Sequence, residues 1–197
     1  MKILGLTGSI GMGKSTVAAM FEEAGIPVFD ADAAVHRLQG PSGDLVGAIE
    51  SAFPGTTGPD GVDRQALGAL VLGDPEQLRR LEAIVHPAVS EERVGFLREN
   101  KDADLVVFDI PLLYEKGGSD ELNAVAVVSA PAAVQRERVL ARPAMTVEKF
   151  ERILALQMPD AEKRARADFI IDTGCSHQET RAQVRRIIAC LTEPDAR

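Results

Sequence analysis

The sequence is poor in features typical of disulfide-linked, membrane-bound or nucleic-acid-binding proteins. Its two cysteines, Cys175 and Cys190, stand apart without CxxC or metal-ligand spacing, so we expect inert thiols in a reducing cytoplasm. Basic residues number 22 against 30 acidic ones, and the net charge of -8 argues against nucleic acid or an anionic membrane as partner. We also expect neither a leader nor a membrane span, because Met1 runs into an apolar strand and no membrane-length apolar run follows.

A glycine-rich stretch near the N-terminus carries the clearest chemical signal. Residues 8–15 have the GxxxxGKS spacing of a phosphate-binding loop, between an apolar strand at 3–7 and an apolar-periodic helix. Three glycines would let backbone N–H groups converge on phosphate oxygens: Gly8, Gly11 and Gly13. Lys14 is expected to reach the β- and γ-phosphates of a nucleoside triphosphate, Ser15 to ligate Mg2+, and Thr16 to make a further phosphate contact. The alternative is a glycine-rich turn that only resembles the motif.

Two aspartates follow apolar strands. Asp32 comes two residues after a short strand at 27–30, and Asp109 ends a buried strand at 105–109. Because open α/β sheets bind ligands at the carboxyl ends of their strands, Asp32 is a candidate base for a hydroxyl proton in phosphoryl transfer. Asp109 is a candidate for the Mg2+ shell, directly or through water. Local structure offers alternatives, since Asp32 can be a helix N-cap and Asp109 can cap a turn.

The stretch from about 33 to 100 contains helical patterns and no clear strand. A connection this long carries structure of its own, so we expect a helical insertion that covers the site or binds the second substrate. One helix is expected from Val62, and another over 78–85 that His86-Pro87 ends. His86 is a candidate substrate contact, although a structural role at a helix junction explains it equally well.

Two arginines stand out after a further strand at 124–129. Arg138 and Arg142 are four residues apart, so we expect them on one helix face, from which both could converge on polyphosphate. A solvated basic face is the alternative. The helices before and after Pro143-Ala144 are rich in arginine, which is typical of a mobile lid, with an ordinary helical hairpin as the alternative.

The alternation of five strands with helices predicts an α/β protein. We expect the P-loop NTPase fold, with a five-stranded parallel sheet and helices on both faces. The glycines at 117 and 118 predict a loop, and the last strand is expected at 167–172. We expect one domain, because 197 residues suit a single core. Its expected parts are a core at 1–32, 101–140 and 160–197, an insertion at about 33–100 and a lid at about 138–159.

The order and spacing of these motifs resemble those of the dephospho-CoA kinase family over nearly the whole chain. The matching elements are Gly5-Leu6-Thr7-Gly8, Gly11-Met12-Gly13-Lys14-Ser15-Thr16, Asp30-Ala31-Asp32, Asp63-Arg64, His86-Pro87, Pro111-Leu112-Leu113-Tyr114-Glu115, Arg138 with Arg142, Gln157-Met158-Pro159 and Ala167-Asp168. The resemblance implies an enzyme that uses ATP and Mg2+ to phosphorylate the ribose 3′-hydroxyl of dephospho-CoA. The products are coenzyme A and ADP, and the reaction is the last step of coenzyme A synthesis.

The resemblance also implies roles for single residues. Asp32 is the expected base, Lys14 with Arg138 and Arg142 the expected catalytic cations, and the loop from Gly8 to Thr16, Met12 included, the ATP site. Three residues are expected on the substrate side: Arg64, His86 and Leu113. Thr173 is expected near the adenine, where the family pattern favours Asn, and Pro143-Ala144 replaces the more usual Asp-Gly of the lid. We expect a monomer or small homo-oligomer.

Two rival functions fit the same scaffold. One is another small-molecule or nucleoside monophosphate kinase, with a different acceptor pocket. The other is a regulatory nucleotide-switch ATPase, although the chain lacks a guanine-reading Asn/Thr-Lys-x-Asp motif. A panel of acceptors with ATP consumption as readout would separate all three.

Overall fold

The computed structural model describes residues 1–115, 117 and 121–193. The strands are β1 (Lys2–Thr7), β2 (Val28–Asp30), β3 (Thr57–Gly58), β4 (Gly61–Val62), β5 (Leu105–Asp109), β6 (Ala124–Ser129) and β7 (Phe169–Asp172). The helices are α1 (Lys14–Glu23), α2 (Ala31–Leu38), α3 (Val46–Ala52), α4 (Arg64–Val71), α5 (Pro75–Glu99), α6 (Ala132–Leu140), α7 (Val147–Ala155), α8 (Asp160–Arg166) and α9 (His177–Thr192). Gly117 lies in a turn, whereas Gly118 of the expected loop and the last four residues of the expected core lie outside the described residues.

A five-stranded sheet organises the first of two compact units, which contains Met1–Phe29 and the described chain from Asn100 onwards. Its strand order is β2-β5-β1-β6-β7, and β1 pairs in parallel with β5 on one side and β6 on the other. Every residue of β5 and β6 is buried, which explains why both strands read as continuous apolar runs. The predicted parallel α/β sheet is confirmed.

Helices pack around this sheet and fix the position of the loop after β1. Helix α1 contacts β1, β5 and α9, and α9 also contacts β7. The shared core includes fully buried side chains from each element, among them Leu6, Phe21, Ile171 and Val184. Because α1 packs against β1 and β5 and follows β1 after a short loop, its first turn lies near the carboxyl end of β1.

The second unit, Asp30–Glu99, is helical with its own apolar core. Leu38, Ile49, Phe53 and Leu67 are buried there in one cluster. The sequence shows no clear strand in this stretch, whereas the structure has two short strands, β3 and β4, which form an antiparallel pair. The expectation is wrong at these positions. Two-residue strands are too short to leave an alternating pattern in the sequence.

Helix α5 continues through Pro87, so the prediction that His86-Pro87 ends the helix is wrong. A proline inside a helix removes one backbone hydrogen bond and normally disfavours the helix. Here apolar residues on both sides of the proline pack against the same cluster, with helical spacing: Leu81, Ile84, Val85, Ala88 and Val89. Asp74 also caps the helix by accepting from the backbone of Glu76 and Gln77. Tertiary packing along one face therefore outweighs the local break.

Candidate active site

The loop between β1 and α1 has a backbone that requires glycine at two places. Gly11 has φ +78°, and a Cβ built there would lie 2.3 Å from Val139 Cγ2. Gly13 has φ +89° and serves as the N-cap of α1, with no side-chain cap among the residues the structure describes. The first N–H groups of α1 are thus not capped by a side chain, and they carry the positive end of the helix dipole. This is the arrangement that binds phosphate at a helix N-terminus.

The side chain of Lys14 contacts the carboxylate of Asp109. Lys14 opens α1 and Asp109 ends β5, so the pairing of β1 with β5 brings the two residues together. Asp109 is 4% exposed, and Lys14 keeps part of its surface open to solvent. The structure therefore supplies a cation at the phosphate-binding loop and a buried carboxylate directly behind it.

Thr173 connects the loop to Arg138. Its hydroxyl donates to the Met12 carbonyl at 2.6 Å, and Arg138 donates to its hydroxyl at 3.0 Å and its carbonyl at 2.7 Å. The side chain of Met12 is 2% exposed, and its sulfur accepts from the Ala130 N–H at 3.2 Å. The Met12 N–H donates to Ser9 O at 3.1 Å, so both backbone polar groups of Met12 are engaged within the protein, and its role is to hold the shape of the loop.

A pocket of about 230 Å³ opens beside the loop. Its lining comes from the loop, α1, the arginine-bearing segment and the start of α9: Gly11, Gly13, Ser15, Thr16, Met20, Arg138, Arg142, Thr173, His177 and Thr180. Ser15 and Thr16 are exposed. Five of the candidate ATP-binding residues and both candidate arginines thus surround one cavity.

The arginines reach this pocket differently from the prediction. Helix α6 ends at Leu140, so Arg142 is not on the same helix as Arg138, and the predicted shared helix face is wrong. Arg142 lies in the turn after α6, and its N–H donates to Val139 O at 3.1 Å. In the same turn Ala144 has φ +57°, a left-handed conformation that favours glycine. The Pro143-Ala144 sequence therefore keeps the backbone that Asp-Gly would adopt more easily.

The second unit holds Asp32, Arg64 and His86. Asp30, and not Asp32, is the N-cap of α2, since its carboxylate accepts from the Ala33 N–H at 2.9 Å. The alternative that Asp32 caps this helix is therefore wrong, and Asp32 lies exposed in the first turn, where the helix dipole favours a carboxylate. Arg64 contacts His36 Nε2 at 2.8 Å, and His86 is exposed at mid-helix on α5.

The segment after β5 packs as structure. Leu113 is 1% exposed and lies in an apolar cluster with Val125 and Val127. The substrate contact expected of Leu113 stays a prediction. Glu115 forms an ion pair at 2.7 Å with Lys163, whose side chain is fully buried on α8. Burial by itself would raise the pKa of the Glu115 carboxyl, but the Lys163 ammonium and the Met158 N–H together hold that pKa below its ordinary value.

Sequence reasoning missed three residues around the loop and pocket, and it placed a fourth, Gln157, in a motif without giving it a role. His177 and Thr180 line the pocket from the first turn of α9, and no motif marks them. Gln135 and Gln157 bind the backbone of the loop residue Ile10. A signal existed for Gln135, because it lies one turn before Val139 on the buried face of α6, where a polar residue needs a partner.

A glycine loop after the central strand of this parallel sheet, a lysine on a buried aspartate and a flanking arginine-rich segment together define a P-loop kinase. The model of the dephospho-CoA kinase family (CoaE) matches residues 2–179. The chain therefore belongs to the dephospho-CoA kinase family, whose members are named for phosphorylating dephospho-CoA.

Individual relatives agree with the family match. The chain is 66% identical to the dephospho-CoA kinase of Novosphingobium aromaticivorans, over 99% of this chain and 97% of the relative. It resembles a crystal structure from Thermus thermophilus with a TM-score of 0.86 and 35% identity, covering 98% of both chains. The dephospho-CoA kinase of Campylobacter jejuni shares the fold, with a TM-score of 0.65, 23% identity and coverage of 96% and 97%. Across the described part of the chain, no helix is long and apolar enough to cross a membrane.

Proposed function

We propose that this protein transfers the γ-phosphoryl group of ATP to the ribose 3′-hydroxyl of dephospho-CoA, which gives coenzyme A and ADP. The observation that carries the proposal is the contact of Lys14 with Asp109 at a glycine loop, in a chain of this family. The reaction forms a bond between the 3′-oxygen and the γ-phosphorus while the bond to the β-phosphate oxygen breaks.

ATP binds with its phosphates on the loop from Gly8 to Thr16. The N–H groups at the start of α1 donate to phosphate oxygens, and Lys14 neutralises charge on the β- and γ-phosphates. The pocket beside the loop, which Thr173 helps to line, takes the polyphosphate chain and the part of the nucleotide next to it. Arg138 and Arg142 line the same pocket and stabilise charge on the transferring group from the lid.

Mg2+ fits the oxygen donors that the loop and β5 present. The exposed hydroxyl of Ser15 and the carboxylate of Asp109 are hard oxygen ligands, and Mg2+ in kinases takes few protein ligands beside phosphates and water. When bound, the ion would neutralise charge on the β- and γ-phosphates. The contact of Lys14 with Asp109 keeps the lysine at the loop, and the same carboxylate would also hold Mg2+, directly or through water.

Asp32 is the proposed base. Its carboxylate takes the proton of the 3′-hydroxyl as that oxygen attacks, and its place in the first turn of α2 is compatible with a charged, exposed carboxylate. Arg64, His86 and Leu113 are proposed on the substrate side, in keeping with the family motifs. The cytoplasm is the proposed location, because the two isolated cysteines suit a reducing compartment.

The test is the purified protein with Mg2+, ATP and dephospho-CoA, scored for coenzyme A by mass. Adenosine, AMP and shikimate serve as alternative acceptors, with ADP release as common readout. Formation of coenzyme A that needs Lys14 supports the proposal. Equal ADP release with every acceptor, or release that no acceptor changes, would refute it in favour of another kinase or a regulatory ATPase.

A further inference from the structure

Two glutamine side chains hold one residue of the phosphate-binding loop. The Ile10 N–H donates to Gln157 Oε1 at 3.0 Å, and the Ile10 carbonyl accepts from Gln135 Nε2 at 2.8 Å. Both polar groups of a single loop residue are thus satisfied by side chains from outside the loop. Such backbone groups are costly to leave unpaired where they are shielded from water.

The two glutamines bracket the arginine-rich segment. Gln135 is on α6, 6% exposed, just before Arg138, and Gln157 follows the end of α7. Residues 136–156 contain both pocket arginines and the turn at Ala144. They therefore begin and end next to a glutamine that is hydrogen-bonded to Ile10. The segment is fastened at both ends to the same point of the loop.

Neighbouring contacts make these anchor points firm. Val139 on α6 packs so closely on Gly11 that a Cβ there would lie 2.3 Å away. The residue after Gln157, Met158, donates its N–H to Glu115 Oε1 at 2.8 Å, and Glu115 is paired with the buried Lys163. Movement of residues 136–156 is therefore confined between a packed helix and an ion-paired junction.

We propose that Gln157 and Gln135 are positioning residues, which set the backbone of the phosphate-binding loop for ATP and couple it to the lid. The inference rests on the proposed function, which supplies ATP as the ligand of the loop. Its geometry rests on the two Ile10 contacts. Neither glutamine lines the nucleotide pocket, so both act through the loop. Loss of either contact should weaken ATP binding and leave the affinity for dephospho-CoA unchanged.

The two contacts have opposite chemistry, which gives a matched test. Gln157 accepts a hydrogen bond, and a carboxylate at that position can still accept it. Gln135 donates, and a carboxylate there would face the Ile10 carbonyl without a proton to share. The four variants are Gln157→Met, Gln157→Glu, Gln135→Met and Gln135→Glu, with Gln77→Met on α5 as control. Methionine keeps the size of glutamine and removes the hydrogen bond.

ATP affinity is measured by titration calorimetry with Mg2+, together with KM for each substrate and the unfolding midpoint. We expect Gln157→Met to bind ATP about tenfold more weakly, because the loop would then adopt the binding-competent backbone only about a tenth of the time, and Gln157→Glu to recover most of that loss. Both Gln135 variants should stay weak, with KM for dephospho-CoA near that of the Gln77→Met control. The unfolding midpoint should fall below that of the control in each variant that leaves an Ile10 backbone group unpaired.

Two results would overturn the inference. One is wild-type ATP affinity in Gln157→Met and Gln135→Met. The other is an equal loss in Gln157→Met and Gln157→Glu, which would mean that packing and not the hydrogen bond matters. Failure of the proposed function is a separate result, because wild-type protein would then bind ATP yet form no coenzyme A.

Discussion

Replacement of Lys163 by methionine tests the ion pair between Lys163 and Glu115, which lies beside the end of residues 136–156. The Lys163 side chain is fully buried and lies 2.7 Å from Glu115 Oε1, which also accepts from the Met158 N–H at 2.8 Å. Methionine fills most of the lysine volume, so the variant removes the charge and leaves Glu115 with its backbone partner alone. A buried carboxylate that loses its cation is expected to destabilise the fold strongly.

The size of the effect follows from the burial of the pair. Breaking a buried ion pair by removing one partner costs about 3–5 kcal/mol. In a protein of this length each kcal/mol corresponds to about 2–4 °C in Tm, so we expect a fall of roughly 6–20 °C. The Met158 N–H and the 15% exposure of the Glu115 side chain place the expectation at the lower end.

The double variant Lys163→Met with Glu115→Gln provides the control, because it leaves no charge unpaired. Urea unfolding followed by circular dichroism would give the four corners of a double-mutant cycle. We expect the double variant to be more stable than Lys163→Met alone. A loss under about 1 kcal/mol in Lys163→Met, or simple additivity of the two single variants, would refute the reasoning.

The same pair predicts a dependence on pH. Because the pKa of Glu115 is lower in the folded protein, its contribution is present above the ordinary pKa of about 4.5 and is lost as pH falls through the folded value. Glu115→Gln should therefore be less stable than wild type at neutral pH, with the difference shrinking in acid. A constant difference at every pH would contradict this assignment.

Three further outcomes are expected. Asp32→Asn should lower kcat by 10²-fold or more, about 2.7 kcal/mol, with little change in ATP affinity, since an amide cannot accept the proton; near-normal kcat would remove Asp32 from catalysis. Lys14→Ala should abolish coenzyme A formation while circular dichroism stays native, and measurable turnover would refute its role. Gly11→Ala should cost about 1–3 kcal/mol and weaken ATP binding, because the new Cβ meets Val139 in a left-handed backbone; an unchanged Tm would contradict the loop geometry.

The core of the fold and the loop were predictable because their signals are local. Buried parallel strands have apolar sequences, and the loop needs glycine and lysine at fixed spacing. Both β1 and the start of α1 can therefore be recognised from the local sequence alone. The parallel sheet also carries Asp109 to the loop. Its contact with Lys14 is not local, but it follows once β1 and β5 are neighbours.

The misses came from contacts distant in sequence. Pro87 predicts a helix end by local rules, and only the apolar cluster of the second unit explains why α5 continues. One difference is local: the sequence left Asp32 open as a cap of α2, whereas the helix begins at Ala31 with Asp30 as its cap. The Gln157 contact with Ile10 spans 147 positions, so the motif that contains Gln157 marks the residue but gives no sign of its partner.

Tyr114 is the only tyrosine of a chain without tryptophan, and it lies directly before Glu115. Its ring centroid is 5.9 Å from the Arg166 guanidinium carbon, and burial together with the Asp168 charge raises the pKa of its phenol. The intrinsic fluorescence of the protein is therefore the emission of a single phenol at this junction. A tryptophan introduced in residues 136–156 would be the only indole in the protein, so its emission could be measured selectively. It would report a rearrangement of this segment on nucleotide binding without a synthetic dye.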